Sequence, residues 1–456
     1  MYPSSHEKES ASDASAIRSW SESLRSDPYR SYLYSYPHKT AYRELQPRVP
    51  LSELWRGEQA ETFFLYMHIP FCGARCGFCN LFTLPDKRRD AHLQYVDALE
   101  RQARQWAPLV SHKPFARFAI GGGTPTLLAP ELLDRLFDIA EEIMGLDPEK
   151  ASISVETSPE TVTEDRLRIL RERRVDRVSM GIQSFIEAEA AAIYRPQMPL
   201  EVERALELLK REPFPILNLD LIYGLPGQTA DSWLYSVERA LSYGPEEIFL
   251  YPLYTREQTI VKPEDIRKRG GDLRMECYFA ARDLLRRSGY IQHSMRRFSK
   301  EDEGSAKTLL PYGCQEEGMV GLGCGARSYT RNLHYASRYA VDRQATASII
   351  ADYVAAERYD TADYGFVLNE AEQKRRFLLK AVLHSEGLAF TAYKDRFGSD
   401  VRNDFPELEM LLQSGMAVVE QGELRLTDEG LAYSDAIGDW LISPEVRERM
   451  EGFGFA

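Results

Sequence analysis

The chain has 456 residues with 57 basic and 70 acidic side chains, a formal charge of −13, and 43% hydrophobic residues. That length allows one large α/β core with accessory segments and no covalent staples, and the acidic balance weighs against nucleic acid as a partner. Six cysteines, three of them within eight positions, do not form the spaced disulfide framework of a small secreted domain, so reduced thiols are expected.

The N-terminus, MYPSSHEKESASDAS, is polar and acidic, without a basic start and apolar run, and no apolar segment reaches membrane-spanning length. A cytoplasmic protein is the expectation. Residues 1 to about 18 are poor in apolar anchors and read as disordered. The following SYLYSYPHKTAYREL alternates aromatic and polar groups, as an arm does that packs onto a body.

Six strand-like runs come next, separated by helical patterns such as AHLQYVDALERQARQWA and EVERALELLKR. They are FFLYMHI (63–69), RFAIGGG (117–123), ASISVET (151–157), VDRVSMGIQ (175–183), ILNLDLIYG (216–224) and EIFLYPLY (247–254). This alternation predicts parallel βαβ units. Six units make an α/β fold with an incomplete (β/α)6 barrel, whose strand ends carry polar groups toward one mouth. Beyond residue 365 the text turns mainly helical, with a hairpin at Ala417–Leu426 and a final helix over TDEGLAYSDAIGDWL. That pattern reads as a winged-helix-like module with a packing or lid role. The expected divisions are an arm over 1–58, the partial barrel over 59–260, a barrel extension with substrate-site residues over 261–365, and the helical module over 366–456.

Chemistry concentrates at the strand ends. FCGARCGFCN places Cys72, Cys76 and Cys79 in one loop. A structural zinc site takes four ligands, so zinc here requires His68 or His92 as the fourth. An iron–sulfur cluster with one thiolate per iron instead leaves one iron open to an outside ligand, and the missing fourth cysteine favours it. GGGTP, Gly121–Pro125, lacks the order of the familiar nucleotide loops, yet its bare backbone lets a ligand approach closely. Glu156 and Asp220 can accept hydrogen bonds from an ammonium or from hydroxyls, Gln183 adds an amide, and Arg195 can fork onto a carboxylate. The basic clusters RERR (171–174) and MRRFSK (295–300) read as solvated helix ends and a charged loop, the second lying beside other candidate site residues.

The texts YMHIPFCGARCGFCN, IGGGTPTLL, SVETSPE, VSMGIQSF, NLDLIYGLPGQT and GLGCGARSY resemble the oxygen-independent coproporphyrinogen III oxidase (HemN-like) family of radical S-adenosylmethionine (SAM) enzymes over roughly residues 60 to 330. The resemblance implies a [4Fe-4S] cluster on Cys72, Cys76 and Cys79, with Tyr66 close to the cluster and cofactor. It implies SAM held by Gly122, Gly123, Thr124, Glu156, Gln183, Arg195 and Asp220, and room for a second SAM near Ile222 and Tyr251, where YPLY departs from the family's small-residue text. In the mechanism it implies, SAM chelates the open iron, one electron from the reduced cluster cleaves the sulfonium, and a 5′-deoxyadenosyl radical takes hydrogen from the substrate. The electron donor implied is a reduced flavodoxin or ferredoxin-like protein.

The strict oxidase pattern carries one more cysteine directly after the loop, where this chain has Asn80, Leu81 and Phe82, and YSYPHKTAYR resembles the haem-utilisation branch. Three activities therefore stand side by side: oxidative decarboxylation of a tetrapyrrole, methyl transfer with two SAM molecules to an aromatic or tetrapyrrole substrate, and haem carriage with His38, His293 or His334 as axial ligands. Cys314 and Cys324 read as thiols without a catalytic duty.

Overall fold

The computed structural model describes residues 5–256, 259–262, 272–300 and 317–454, with side chains from residue 15 onward. In chain order the strands are β1 (Arg43–Pro50), β2 (Phe63–Ile69), the two-residue pieces β3 (Phe71–Cys72) and β4 (Leu84–Pro85), β5 (Phe115–Gly122), β6 (Ser152–Thr157), β7 (Arg177–Gln183), β8 (Ile216–Tyr223) and β9 (Glu247–Pro252). They continue with β10 (Tyr290–Gln292), β11 (Arg297–Lys300), β12 (Met319–Leu322), β13 (Arg327–Tyr329), β14 (Leu333–Ala336) and β15 (Thr361–Val367). The C-terminal part adds β16 (Leu388–Ala389), β17 (Ala417–Glu420) and β18 (Glu423–Leu426).

β2, β5, β6, β7, β8 and β9 lie side by side and parallel, the six units expected. Their near-continuous apolar text follows from burial on both faces, as in β2, where only Tyr66 is not fully buried. A seventh parallel strand was not anticipated: β12 joins the free edge of β2, with Gly321 opposite Tyr66. Beyond β12 the sheet runs antiparallel through β13, β14, β15 and β1, and beyond β9 through β11 and β10. Both edges thus end in antiparallel strands, and the sheet stays open as an incomplete barrel. At the strand starts Glu247 accepts from Arg177 (2.7 Å) and Arg297 (2.6 Å), a buried charge group tying β7, β9 and β11 together.

Among the described residues two large apolar cores and two small clusters result. The larger fills the sheet and its helices, from Trp55 and Leu65 through Trp233 to Phe298. The second joins the two ends of the chain: Leu24, Tyr36 and Tyr42 of the arm pack with Phe366, Leu378, Tyr393 and Ile437. The arm differs from the expectation of disorder over residues 1 to 18, since a helix spans Ser5–Ser26 and Trp20 meets Trp440 edge-on at 4.9 Å. The hairpin at 417–426 is present as β17–β18, with β16 alongside. The single final helix is instead two, Asp428–Ala432 and Ser434–Trp440, because Tyr433 leaves helical geometry (φ −105°, ψ 17°), and Pro444–Glu451 follows. No helix among the described residues is long and apolar enough to cross a membrane.

Candidate active site

The thiol loop leaves β2 and is fastened at both ends and in the middle. Its base is the β3–β4 ladder, Phe71 opposite Leu84. The glycine turn after β5 locks onto it, with Gly123 N–H donating to Ile69 O and Thr124 N–H to Phe71 O, both at 2.7 Å. Gly77 anchors the tip by donating to Ile193 O at 2.7 Å and accepting from the Val261 N–H at 3.0 Å. The glycines are required by close approach. A Cβ on Gly123 would stand 2.4 Å from Phe71 O and 2.9 Å from Cys72 Sγ, and one on Gly121 would meet the Glu156 carboxyl at 2.8 Å.

Cys72, Cys76 and Cys79 all face one cavity of about 190 Å³, shared with Gly122, Gly123, Thr124, Glu156, Gln183, Arg195 and Asp220. Strand ends and the loops that follow them bring these side chains to one cavity. Burial pushes the Cys72 thiol up to about 12, with Cys79 adding in the same direction. Burial also raises Cys76, opposed by Arg195, whose Nη1 lies 3.4 Å from its sulfur. A thiol in such a site binds metal by giving up its proton.

The zinc alternative loses its fourth ligand. His68 Nε2 lies 2.9 Å from Phe82 O and its Nδ1 3.2 Å from the Tyr66 hydroxyl, while His92 Nε2 lies 2.9 Å from Asp86 O. Among the described residues no three His, Cys, Asp or Glu side chains converge on a point for one ion. Three thiols spread around one pocket are the donor set of a multi-iron cluster, which takes one thiolate per iron, and the residues fit that group.

The opposite wall carries two carboxyls. Glu156 on β6 accepts from Gly122 N–H at 3.0 Å, and burial pushes it up to about 7 against that bond, with Asp220 contributing in the same direction as burial. Asp220 on β8 is also raised by burial, opposed by Arg177 and by donors on Asn218 (2.8 Å) and Ser179 (3.4 Å). A cation arriving between them favours their ionised forms. Gln183 ends β7 with φ +70°, at a register shift against β8, a strained setting that turns its amide into the cavity. Arg195 donates to Gln197 Oε1 at 2.9 Å and to Gly181 O, which places its guanidinium beside Cys76.

Tyr66, Ile222 and Tyr251 line a second cavity of about 750 Å³. The two cavities share Phe78, Cys79, Leu81, Gly122, Glu156, Gln183 and Asp220, so the large one opens onto the cluster side. Its far walls come from all three parts of the chain: Tyr32, Tyr34 and Lys39 of the arm, Tyr254 and Arg256 after β9, and Asp435 of the C-terminal module. Sequence reading missed Lys39, Arg256 and Arg327. The signal available was the aromatic arm motif, whose lysine sits beside the third thiol.

Other candidates fall away. His38 is buried against Thr40 (2.8 Å), His293 bonds Ser299 (2.7 Å) and His334 is buried beside Tyr329; none of these three lines either cavity, and the imidazoles on the large cavity's wall are those of His68 and His384. Cys324 is buried 3.8 Å from the Tyr95 hydroxyl, and burial pushes it up to about 12. Cys314 lies outside the described residues. In MRRFSK, Arg296 pairs with Asp435 and Arg297 with Glu247; in RERR, Arg171, Arg173 and Arg174 pair with carboxylates at the surface.

Residues 66–240 match the family model described as the radical SAM superfamily, and residues 368–433 match the HemN C-terminal domain. The chain is 28% identical over 406 residues to the oxygen-independent coproporphyrinogen III oxidase of Bradyrhizobium diazoefficiens, covering 84% of this chain and 85% of that one. It is 26% identical over 379 residues to the heme chaperone HemW of Bacillus subtilis, covering 80% and 95%. The solved structure of coproporphyrinogen III oxidase (HemN) from Escherichia coli has the same fold, with a TM-score of 0.72 at 21% identity over 91% of this chain and 99% of that one.

Proposed function

Because the chain belongs to the radical SAM superfamily, and to its HemN-like group, we propose that it cleaves SAM reductively and oxidatively decarboxylates a propionate-bearing tetrapyrrole. The observation that carries this reading is the pair of joined cavities: a small one collecting the three thiols and the polar strand ends, and a large aromatic one reached across Glu156, Gln183 and Asp220. A bound cluster and SAM supply a hydrogen-abstracting radical.

The chain's own residues bind and orient. Cys72, Cys76 and Cys79 hold the cluster as thiolates. Gly122 and Gly123 offer bare backbone to the amino acid end of SAM, with Thr124 adjacent, and Arg195 stands where it can fork onto a carboxylate. Glu156 and Asp220, harder to ionise than ordinary carboxyls, lose their protons to accept from the ammonium and ribose hydroxyls, and Gln183 adds an amide contact. Tyr66, oriented by His68 at 3.2 Å, lines the large cavity and keeps the reacting carbon on the cluster side. Ile222 and Tyr251, on the same wall, are where a second SAM would rest. A reduced flavodoxin or ferredoxin-like protein delivers the electron that cleaves SAM, and a separate electron acceptor takes the electron that the substrate radical gives up as carbon dioxide leaves.

The test is anaerobic mass spectrometry after incubating reconstituted protein with reductant, SAM and coproporphyrinogen III. Two successive losses of carbon dioxide, each with two hydrogens, support the reading. Formation of 5′-deoxyadenosine with unchanged porphyrinogen moves the radical chemistry to another substrate, and a mass gain of one methylene makes the protein a methyltransferase. Full SAM cleavage by Cys79→Ala with unchanged iron content would sink the cluster assignment.

A further inference from the structure

Three cations on the large cavity's wall have carboxylate partners: Arg296 pairs with Asp435, Arg297 with Glu247 and Arg338 with Glu44. Lys39 and Arg256 differ, since among the described residues neither lies within ion-pair distance of a carboxylate. Lys39 is only 6% exposed. Its ammonium donates to Asn80 O at 3.2 Å and rests 3.5 Å over the Tyr339 ring, which leaves donor capacity without an acceptor. Burial, then Arg327 and Arg256, push it well below the ordinary lysine range. Arg256 is half-buried, and its backbone is held by Thr259 at 2.8 Å and 3.0 Å, while its guanidinium has no acceptor among the described residues.

Holding cations together in a buried wall without an anion is costly, and an incoming oxyanion relieves that cost. The same cavity also presents aromatic rings, among them Tyr34, Phe249, Tyr251 and Tyr254. An occupant that satisfies both has a flat conjugated or macrocyclic body and an acid side chain.

Resting on the reading that the large cavity holds the reactant, we propose that Lys39 and Arg256 are its specificity-determining pair and receive a carboxylate of a ring-bearing polyacid. The arm motif containing Lys39 then serves recognition, and the acid group lies next to the loop of the third thiol.

The experiment is equilibrium binding of coproporphyrin III and of its tetramethyl ester to the reconstituted full chain, followed by absorption and tryptophan quenching, with Lys39→Met, Arg256→Gln and the double variant. Each substitution is expected to weaken the acid by about ten- to a hundredfold, the scale of one charged hydrogen bond, and to leave the ester and the iron content unchanged. Equal losses for acid and ester overturn the proposal, as does unaltered acid binding in both variants. It is also overturned if Lys39→Met loses iron while Arg256→Gln binds normally, because Lys39 then serves the thiol loop. If neither porphyrin binds, pyrenebutyrate against pyrenebutanol separates the two ideas. An acid preference that needs both side chains keeps the pair and removes the tetrapyrrole reading; no acid preference removes the pair.

Discussion

Replacing Gly123 by alanine is expected to displace Cys72 and uncouple the thiol loop from the glycine turn. The new Cβ would sit 2.4 Å from Phe71 O and 2.9 Å from Cys72 Sγ, where ordinary contact begins at 3.4 Å, so the carbonyl has to retreat by about 1 Å. Overpacking of this kind costs about 1–3 kcal/mol. The same carbonyl accepts the Thr124 N–H at 2.7 Å, and losing that bond adds about 1 kcal/mol. A misplacement near 1 Å at a reacting centre lowers rate on the order of a hundredfold. The assays are thermal melting, iron per chain after anaerobic reconstitution, and 5′-deoxyadenosine formation. Gly57→Ala is the control, because Gly57 has helical geometry (φ −84°) with its nearest atoms 3.6 and 3.7 Å from the new carbon. If Gly123→Ala matches that control in all three readouts, the cradle argument is wrong.

Glu156 gives a pH signature. Its carboxyl is raised from 4.5 to about 7 by burial, so the stability linked to its protonated form is fully present below pH 4.5 and is lost as pH rises through 7. The effect, up to about 3 kcal/mol, is read as the difference between wild type and Glu156→Gln in denaturant melts across that window. SAM affinity should move the other way, strengthening as pH passes 7, and calorimetry on Glu156→Gln should show that dependence gone. Asp435→Ala leaves the buried Arg296 without its carboxylate and should cost about 3–5 kcal/mol, whereas a double variant with Arg296→Met recovers much of it; an unchanged denaturation midpoint in the single variant would refute the pairing. Tyr66→Phe should retain iron and SAM binding yet slow product formation, and equal rates with wild type would remove its positioning role.

The parallel strands were legible because each is an apolar run ending in a polar group, and Glu156, Gln183 and Asp220 could be read from that pattern alone. β12 was not, since four residues form a strand there only because β2 offers a free edge. The strain at Gln183 left no compositional trace. Lys39 and Arg256 were hidden for another reason: their meeting depends on the arm folding across the sheet, a contact between distant parts of the chain. The helix at Ser5–Ser26 was obscured by a polar composition that resembles disorder.

The second core, built from Leu24, Tyr36 and Tyr42 together with residues from Phe366 onward, sets a timetable for biosynthesis. On a ribosome adding about 5–20 residues per second, the arm waits tens of seconds for its partner surface to emerge. The strands of the parallel run and the thiol loop are complete before that moment. If the thiol loop takes up a cluster, an interval exists in which the parallel strands have been made and the arm's partner surface has not, and a nascent chain halted before residue 366 is the species on which to look for iron uptake.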